Sequence, residues 1–322
     1  VGHARHRAGP RAGRLSAGMH RIGREHTMEP RFGRVVTAMV TPFDADGELD
    51  LGGAVELARW LVEQGNDGLV LAGTTGESPT LTHDEQIALV EAVSGAVDCH
   101  VIAGAGSNDT AAAVELTERC TEAGADAILT VTPYYNRPSQ LGLLHHFTAV
   151  AGATDLPVML YDIPPRSGRK IDNATILQLA DEVVNVVAVK DAAGDVAETA
   201  RLAAAAPDGF EIYSGEDALT LALLAVGAVG VVSVASHWAT PETVVMMEAF
   251  FSGDVARATE TNQRLVESWD FESGDLKPNP LPTKAMLKVL GLPGGDCRPP
   301  MGPEPEGLQD LARQVLAGLG RT

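Results

Sequence analysis

The sequence is short of several things at once. It has three cysteines in 322 residues, Cys99, Cys120 and Cys297, and no CxxC pair. A scattered, odd set argues against a disulfide framework or a zinc ribbon and fits a reducing compartment, so a cytoplasmic protein is expected. No apolar run approaches the roughly 18 residues that a membrane-crossing helix needs, and no membrane partner is expected. Aromatic residues make up only 4% of the chain, with four tyrosines in all. Lysine is scarcer than arginine and occurs at just five positions: 170, 190, 277, 284 and 288. Basic charge as a whole is in deficit, 24 Lys and Arg against 43 Asp and Glu, for a net charge of −19. A body that acidic repels phosphate backbones, which argues against nucleic-acid binding.

The basic residues that exist are crowded at the start. Residues 1–34 hold eight Arg against Glu25 and Glu29, so the remainder is more acidic than the total suggests. The opening residues are rich in Arg, Gly and His and lack apolar periodicity. They read as a disordered basic tail over 1–33, or as sequence upstream of a start at Met19 or Met28. An organellar transit peptide is the competing reading. A secretory signal is excluded because no apolar segment follows.

From Val35 onward one unit recurs: a short β-branched run, a turn, then an amphipathic helix. The runs are Val35–Val40, Leu69–Gly73, Val101–Gly106, Ala127–Thr132, Val158–Ile163, Val186–Asp191, Glu211–Ser214 and Val231–Ala235. Most are continuously apolar rather than alternating, as parallel strands buried on both faces require. Helical patterns lie between them. One opens with a capping box at Thr82 and Glu85, and another has Asn108 as its expected N-cap. Eight strands alternating with eight helices predict an α/β fold of the (β/α)8 TIM-barrel type over 34–251; a doubly wound sheet fits such regular units less well. Beyond 252 only helices are expected, with the Pro- and Gly-rich stretch 291–303 as an internal linker of a C-terminal helical unit over 252–322.

In such a barrel, chemistry sits at the C-terminal ends of the strands. Lys190 closes "VVAVKD" and is the only lysine at a strand end. An amine stripped of water there is a nucleophile towards a ketone, although a solvated lysine beside Asp191 would look the same in sequence. Tyr161 ends the fifth strand, where a phenol can move protons on and off a substrate oxygen or simply line the rim. "GTTGES" at 73–78 follows the second strand. Its glycines allow a sharp turn, its free amides favour an anion, and Thr74 and Thr75 add hydroxyl donors. Other features read as structural. "GAGSND" lacks the third glycine of a dinucleotide fingerprint. "DADGELD" lacks calcium-ligand spacing and reads as a turn. His145 and His146 face different ways on a helix, so no metal site is expected.

Four motifs together, "GTTGES" at 73–78, "TVTPYYNRPSQ" at 130–140, "LYDIPPRSG" at 160–168 and "VKDAAG" at 189–194, resemble the dihydrodipicolinate synthases. These belong to the pyruvate-dependent class I aldolases, a group that includes N-acetylneuraminate lyase. The resemblance runs from about Arg34 to the C-terminus. It implies a lyase without cofactor or metal that condenses pyruvate with L-aspartate-4-semialdehyde. Lys190 would form the imine, Tyr161 would act as acid and base, and Thr75 would link Tyr161 to Tyr135 donated by a neighbouring subunit of a homotetramer. Thr74 and Thr75 would hold the pyruvate carboxylate, Arg166 the carboxylate of the aldehyde, and Gly215 and Val232 would wall the pocket. Sialate lyases lack the arginine after the "IP" turn, which favours the synthase. Another pyruvate aldolase, a sugar-acid dehydratase and a catalytically dead scaffold are the alternatives. In lysine-sensitive members the inhibitor pocket is lined by residues matching Ser78, Pro79, His83, Gln86, Asn108, Ala112 and Tyr134. Gln86 and Ala112 depart from a His and a Glu there, so weak or no lysine inhibition is expected.

Overall fold

The computed structural model describes residues 29–321. Strands β1 (Val35–Ala38), β2 (Gly68–Leu71), β3 (His100–Gly104), β4 (Ala127–Val131), β5 (Val158–Asp162), β6 (Val186–Asp191), β7 (Glu211–Ser214) and β8 (Gly230–Ser233) form a closed barrel in sequence order. Every pairing is parallel, including β8 with β1. The expected barrel is therefore present. Six strands end one or two residues sooner than their apolar runs, because the ladder gives way to loops at the mouth.

Helices α1 (Leu51–Glu63), α2 (His83–Ser94), α3 (Thr110–Glu122), α4 (Gln140–Ala151), α5 (Pro164–Ser167), α6 (Asn173–Glu182), α7 (Val196–Ala205), α8 (Thr220–Ala225) and α9 (Ser236–Phe251) accompany the strands. Their apolar faces and the outward strand residues make one buried layer, which includes Leu57 and Leu61 of α1, Leu69 of β2, Phe147 of α4 and Val158 of β5. The inward strand residues make a second core inside the barrel, among them Val36, Val70, Ile102, Met159, Ala188 and Val232. The alternation within each strand assigns residues to one core or the other.

Two sequence expectations are corrected. The N-cap of α3 is Asp109, whose Oδ1 accepts from Ala111 N at 3.0 Å, and not Asn108. The expected tail over 1–33 also overruns the barrel: Phe32 is buried in the inner core, and its N–H donates to the Tyr213 hydroxyl at 3.1 Å. That ring closes the lower end of the barrel. The rest of the expected tail, residues 1–28, lies outside the described residues. "DADGELD" is a turn, with Asp44 Oδ1 accepting from Asp46 N and Glu48 N.

Helices α10 (Val255–Glu272), α11 (Leu281–Leu290) and α12 (Leu308–Gly318) follow the barrel. They share a core with Trp238 and Met246 of α9, into which Leu265, Phe271, Met286 and Leu316 pack. The stretch 291–303 is more than a linker. Arg298 stacks on Phe43, pairs with Glu85 at 2.6 Å and donates its backbone N–H to Glu77 Oε2, tying the chain to the loop after β2.

Candidate active site

The mouth of the barrel is assembled from the ends of β2, β4, β5, β6, β7 and β8, and β6 sets its centre. Along β6 successive side chains face opposite ways. Asp191 faces α7: its Oδ1 accepts from Ala193 N at 3.0 Å and its Oδ2 from Thr199 Oγ1 at 2.6 Å. Asp191 is thus committed to the turn, and Lys190 is left to face inward without it. Lys190 is 5% exposed. Its Nζ lies 4.3 Å from the centroid of the Tyr161 ring and makes no hydrogen bond or ion pair among the described residues. A buried amine with no carboxylate partner is uncommon, because burying a cation without compensation is costly.

Tyr161 reaches Lys190 because β5 and β6 are paired in register, with the two residues opposite each other. Its backbone carbonyl is held by Thr132 N and Thr132 Oγ1. Gly215, just past β7, gives the lysine stem its room. A Cβ there would lie 2.9 Å from Lys190 Cγ, 3.0 Å from Lys190 Cε and 2.9 Å from Ala192 Cβ. Gly215→Ala should therefore push Lys190 off its place at a cost of about 1–3 kcal/mol, lowering the rate of adduct formation about tenfold. Rapid-mixing measurement of pyruvate adduct formation checks this, and an unchanged rate would show that the stem has slack. Val232 of β8 belongs to the inner core, as Tyr161 does.

The loop 73–77 is wound tightly. Ala72 and Glu77 both have left-handed backbones, at φ 51° and 55°. Such positions in residues other than glycine cost energy and cluster at functional loops. The turn is closed by Glu77 N donating to Thr74 O and Ser78 N to Gly73 O. A Cβ at Gly76 would meet the backbone of Ala72 and Met39 at 3.1 Å. The N–H groups of Thr74, Thr75 and Gly76 have no acceptor among the described residues. Three free amides and two hydroxyls make an anion cradle. The loop runs into a short 3-10 turn, Ser78–Thr80, and not directly into α2.

Arg166 sits on the one-turn helix α5, which Gly168 ends in a left-handed conformation. Ser167 Oγ donates to Ile163 O and Arg169 O, and Lys170 pairs with buried Asp162 at 2.9 Å, so the segment is pinned at both ends. The Arg166 guanidinium is exposed and has no hydrogen-bonded or ion-paired partner among the described residues. Glu216 at the rim lies within electrostatic reach of both cations: burial and Asp217 push its carboxyl up, and Lys190 and Arg166 pull it down. Tyr135 stands apart from the rest. It is 91% exposed with φ 73°, and its backbone N–H is fixed to Ser167 O. Tyr213, by contrast, lies at the closed end, where its hydroxyl donates to Glu211.

A profile of the Dihydrodipicolinate synthetase family matches residues 31–317. The chain belongs to the dihydrodipicolinate synthetase family. The 4-hydroxy-tetrahydrodipicolinate synthase of Moorella thermoacetica is 50% identical over 273 residues, covering 84% of this chain and 92% of that one. The dihydrodipicolinate synthase of Cyanidioschyzon merolae, solved with lysine bound, superposes with a TM-score of 0.88 at 43% identity, over 91% of this chain and all of that one. The chloride-inhibited enzyme from Acinetobacter baumannii, solved with pyruvate, gives 0.85 at 34% identity, over 90% of this chain and all of that one.

One side chain of the site carries no sequence signal of its own. Asn279, just before α11, donates its Nδ2–H to Thr75 Oγ1 at 3.0 Å. From the same helix Lys284 pairs with Glu77 at 2.7 Å, both side chains being 2% exposed. The segment at the start of α11 thus reaches the loop after β2 at the barrel mouth. Buried Lys284 in "NPLPTK" was the one hint, since an unpaired lysine on an apolar helix face needs a carboxylate partner.

Proposed function

We infer that this chain is a 4-hydroxy-tetrahydrodipicolinate synthase. It condenses pyruvate with L-aspartate-4-semialdehyde through an imine on Lys190, the first committed step of diaminopimelate and lysine biosynthesis. The observation that carries this is the buried Lys190 amine, without a carboxylate partner, over the Tyr161 ring in a member of this family. The pyruvate carboxylate lies in the cradle of Thr74 and Thr75. Lys190 Nζ adds to C2, the carbinolamine loses water, and a proton leaves C3 to give the enamine. C3 attacks the aldehyde carbon of the second substrate, whose amine then closes on C2 and displaces Lys190. The imine is itself the electron sink, so the scheme needs no metal or organic cofactor. Tyr161 exchanges protons with the reacting oxygens, and Thr75 relays them towards Tyr135.

Arg166 takes the carboxylate of the aldehyde, for which a free guanidinium fork is suited. Tyr135 is read as a gift to a neighbouring subunit, because its ring stands in the open on a fixed backbone; this supports a homotetramer built as a dimer of dimers. No helix among the described residues is long and apolar enough to cross a membrane, and we place the enzyme in the cytoplasm. The reading is tested by an assay with both substrates, coupled to reduction of the product. Turnover with pyruvate and aspartate semialdehyde supports it; turnover only with a sugar acid or another aldehyde overturns it.

Lysine should inhibit this enzyme weakly or not at all. Ala112 offers no charge to a ligand ammonium, and the nearest substitute, Asp109, is occupied as the cap of α3. Gln86, buried, gives its Nε2–H to Ser78 O at 3.1 Å. An ammonium left unpaired in a dry pocket is strongly disfavoured. A lysine titration checks this: half-maximal inhibition below about a millimolar, or about 4 kcal/mol of binding, would contradict it.

A further inference from the structure

We propose that Lys284, on α11 beyond the barrel, is a positioning residue for pyruvate: paired with Glu77, it keeps the loop after β2 wound so that its free amides serve the substrate carboxylate. The inference rests on the reading of that loop as the pyruvate cradle. Glu77 closes the loop with a left-handed backbone at φ 55°, which costs a glutamate energy. The winding passes through this residue. Its N–H donates to Thr74 O at 3.1 Å, and its carbonyl accepts from Thr80 N at 2.9 Å and Thr80 Oγ1 at 3.0 Å. One residue back, Gly76 O accepts from Thr41 Oγ1 at 2.6 Å. These bonds engage the loop's carbonyls and leave the amides of Thr74, Thr75 and Gly76 for an anion.

What holds Glu77 in that conformation comes from the C-terminal part of the chain. Its Oε1 lies 2.7 Å from Lys284 Nζ, and its Oε2 accepts from Arg298 N at 2.9 Å. Lys284 also donates to Asp296 O at 3.0 Å and stands 4.2 Å from the centroid of the Phe43 ring. Both members of the pair are buried, so removing one leaves the other charged and unsolvated. The charge itself bears on the cradle. Glu77 follows directly on Gly76, the last of the three free amides. Left unneutralised, its carboxylate would oppose an incoming anion, and Lys284 cancels it.

The decisive variant is Lys284→Met, which keeps the apolar stem and removes the charge. KM for pyruvate, and the pyruvate concentration that half-saturates borohydride trapping, should both rise about tenfold or more. KM for aspartate semialdehyde and kcat at saturating pyruvate should stay within about threefold. A merely structural role would lower the melting temperature and the active fraction without moving the pyruvate constants. A second readout is pH. The unpaired, buried Glu77 carboxyl of K284M keeps its proton to higher pH, so its pyruvate KM relative to wild type should fall back as pH falls. The other charged groups around that carboxyl are Arg298, with Glu85 and Glu48 beside it, and Asp296; the Cys297 thiol, which burial pushes up to about 12, stays neutral. Glu77→Gln combined with Lys284→Met leaves no unpaired ion, and should raise the pyruvate constants about threefold without that recovery. If K284M does not fold, this double variant carries the test. Pyruvate constants within about twofold of wild type in each variant that folds, or an equal rise in KM for both substrates, overturn the proposal. Thr75→Val separates the two levels. Unmoved pyruvate constants in T75V refute the cradle itself, whereas raised constants in T75V with unmoved ones in K284M refute only the role of Lys284.

Discussion

Lys190→Ala is expected to lower kcat by about a thousandfold or more, because imine formation and release both disappear with the amine. That loss corresponds to about 4 kcal/mol of transition-state stabilisation. The fold should not suffer. Lys190 has no hydrogen bond or ion pair to lose among the described residues, and its removal takes a buried cation out of the barrel. A melting temperature at or above that of the wild type, measured beside kcat, separates the chemical loss from a structural one. The anion cradle at 73–77 is untouched in this variant, so weak, non-covalent pyruvate binding should survive. If K190A keeps more than about a tenth of the activity, covalent catalysis at this residue is wrong.

Arg166→Ala should strike one substrate and spare the other. The guanidinium has no partner to release among the described residues, so truncation unmasks no buried charge. A charge-assisted hydrogen bond contributes about 1.5–3 kcal/mol, which predicts a rise in KM for aspartate semialdehyde of about tenfold to a hundredfold. KM for pyruvate should move by less than about twofold, since its carboxylate is assigned to the loop after β2 in the proposed reaction. Steady-state kinetics with each substrate varied in turn measures both. Equal effects on the two constants would show that Arg166 shapes the mouth as a whole and does not recognise the aldehyde.

The barrel was legible in the sequence because parallel strands buried on both faces leave uninterrupted apolar runs, and each run here became a strand. Lys190 and Tyr161 were legible for a related reason: a polar group that ends an apolar run must lie where the strand opens to the mouth. What the sequence left open was the environment of Lys190. Adjacent Asp191 could have been its ion-pair partner, and only the alternation of β6 sends that carboxylate to Thr199 and Ala193. Local chemistry also misled at α3, where Asn108 and Asp109 are both good caps and the backbone chose the second.

Long-range contacts account for the remaining gaps. Phe32 read as the end of a basic tail, because its apolar partners in the inner core come from strands as far away as β7. Asn279 drew no reading in the sequence, and its partner Thr75 is 204 residues earlier. Arg298 fell in a stretch that reads as a linker, yet its partners Glu77 and Glu85 flank the start of α2. In each case the composition is that of a loop, and the function arises from where the closed barrel delivers it. Periodicity reports which face of an element is buried; it is silent on which distant residue meets that face.

The central claim is that pyruvate becomes covalently bound to Lys190, and trapping tests it most directly. The full chain is incubated with pyruvate and borohydride, digested, and mapped by mass spectrometry. The account predicts a single carboxyethyl group on the peptide containing Lys190, dependent on pyruvate and absent from K190A. An adduct on Lys170, Lys277, Lys284 or Lys288 in place of Lys190, or no adduct at all from active enzyme, would contradict it.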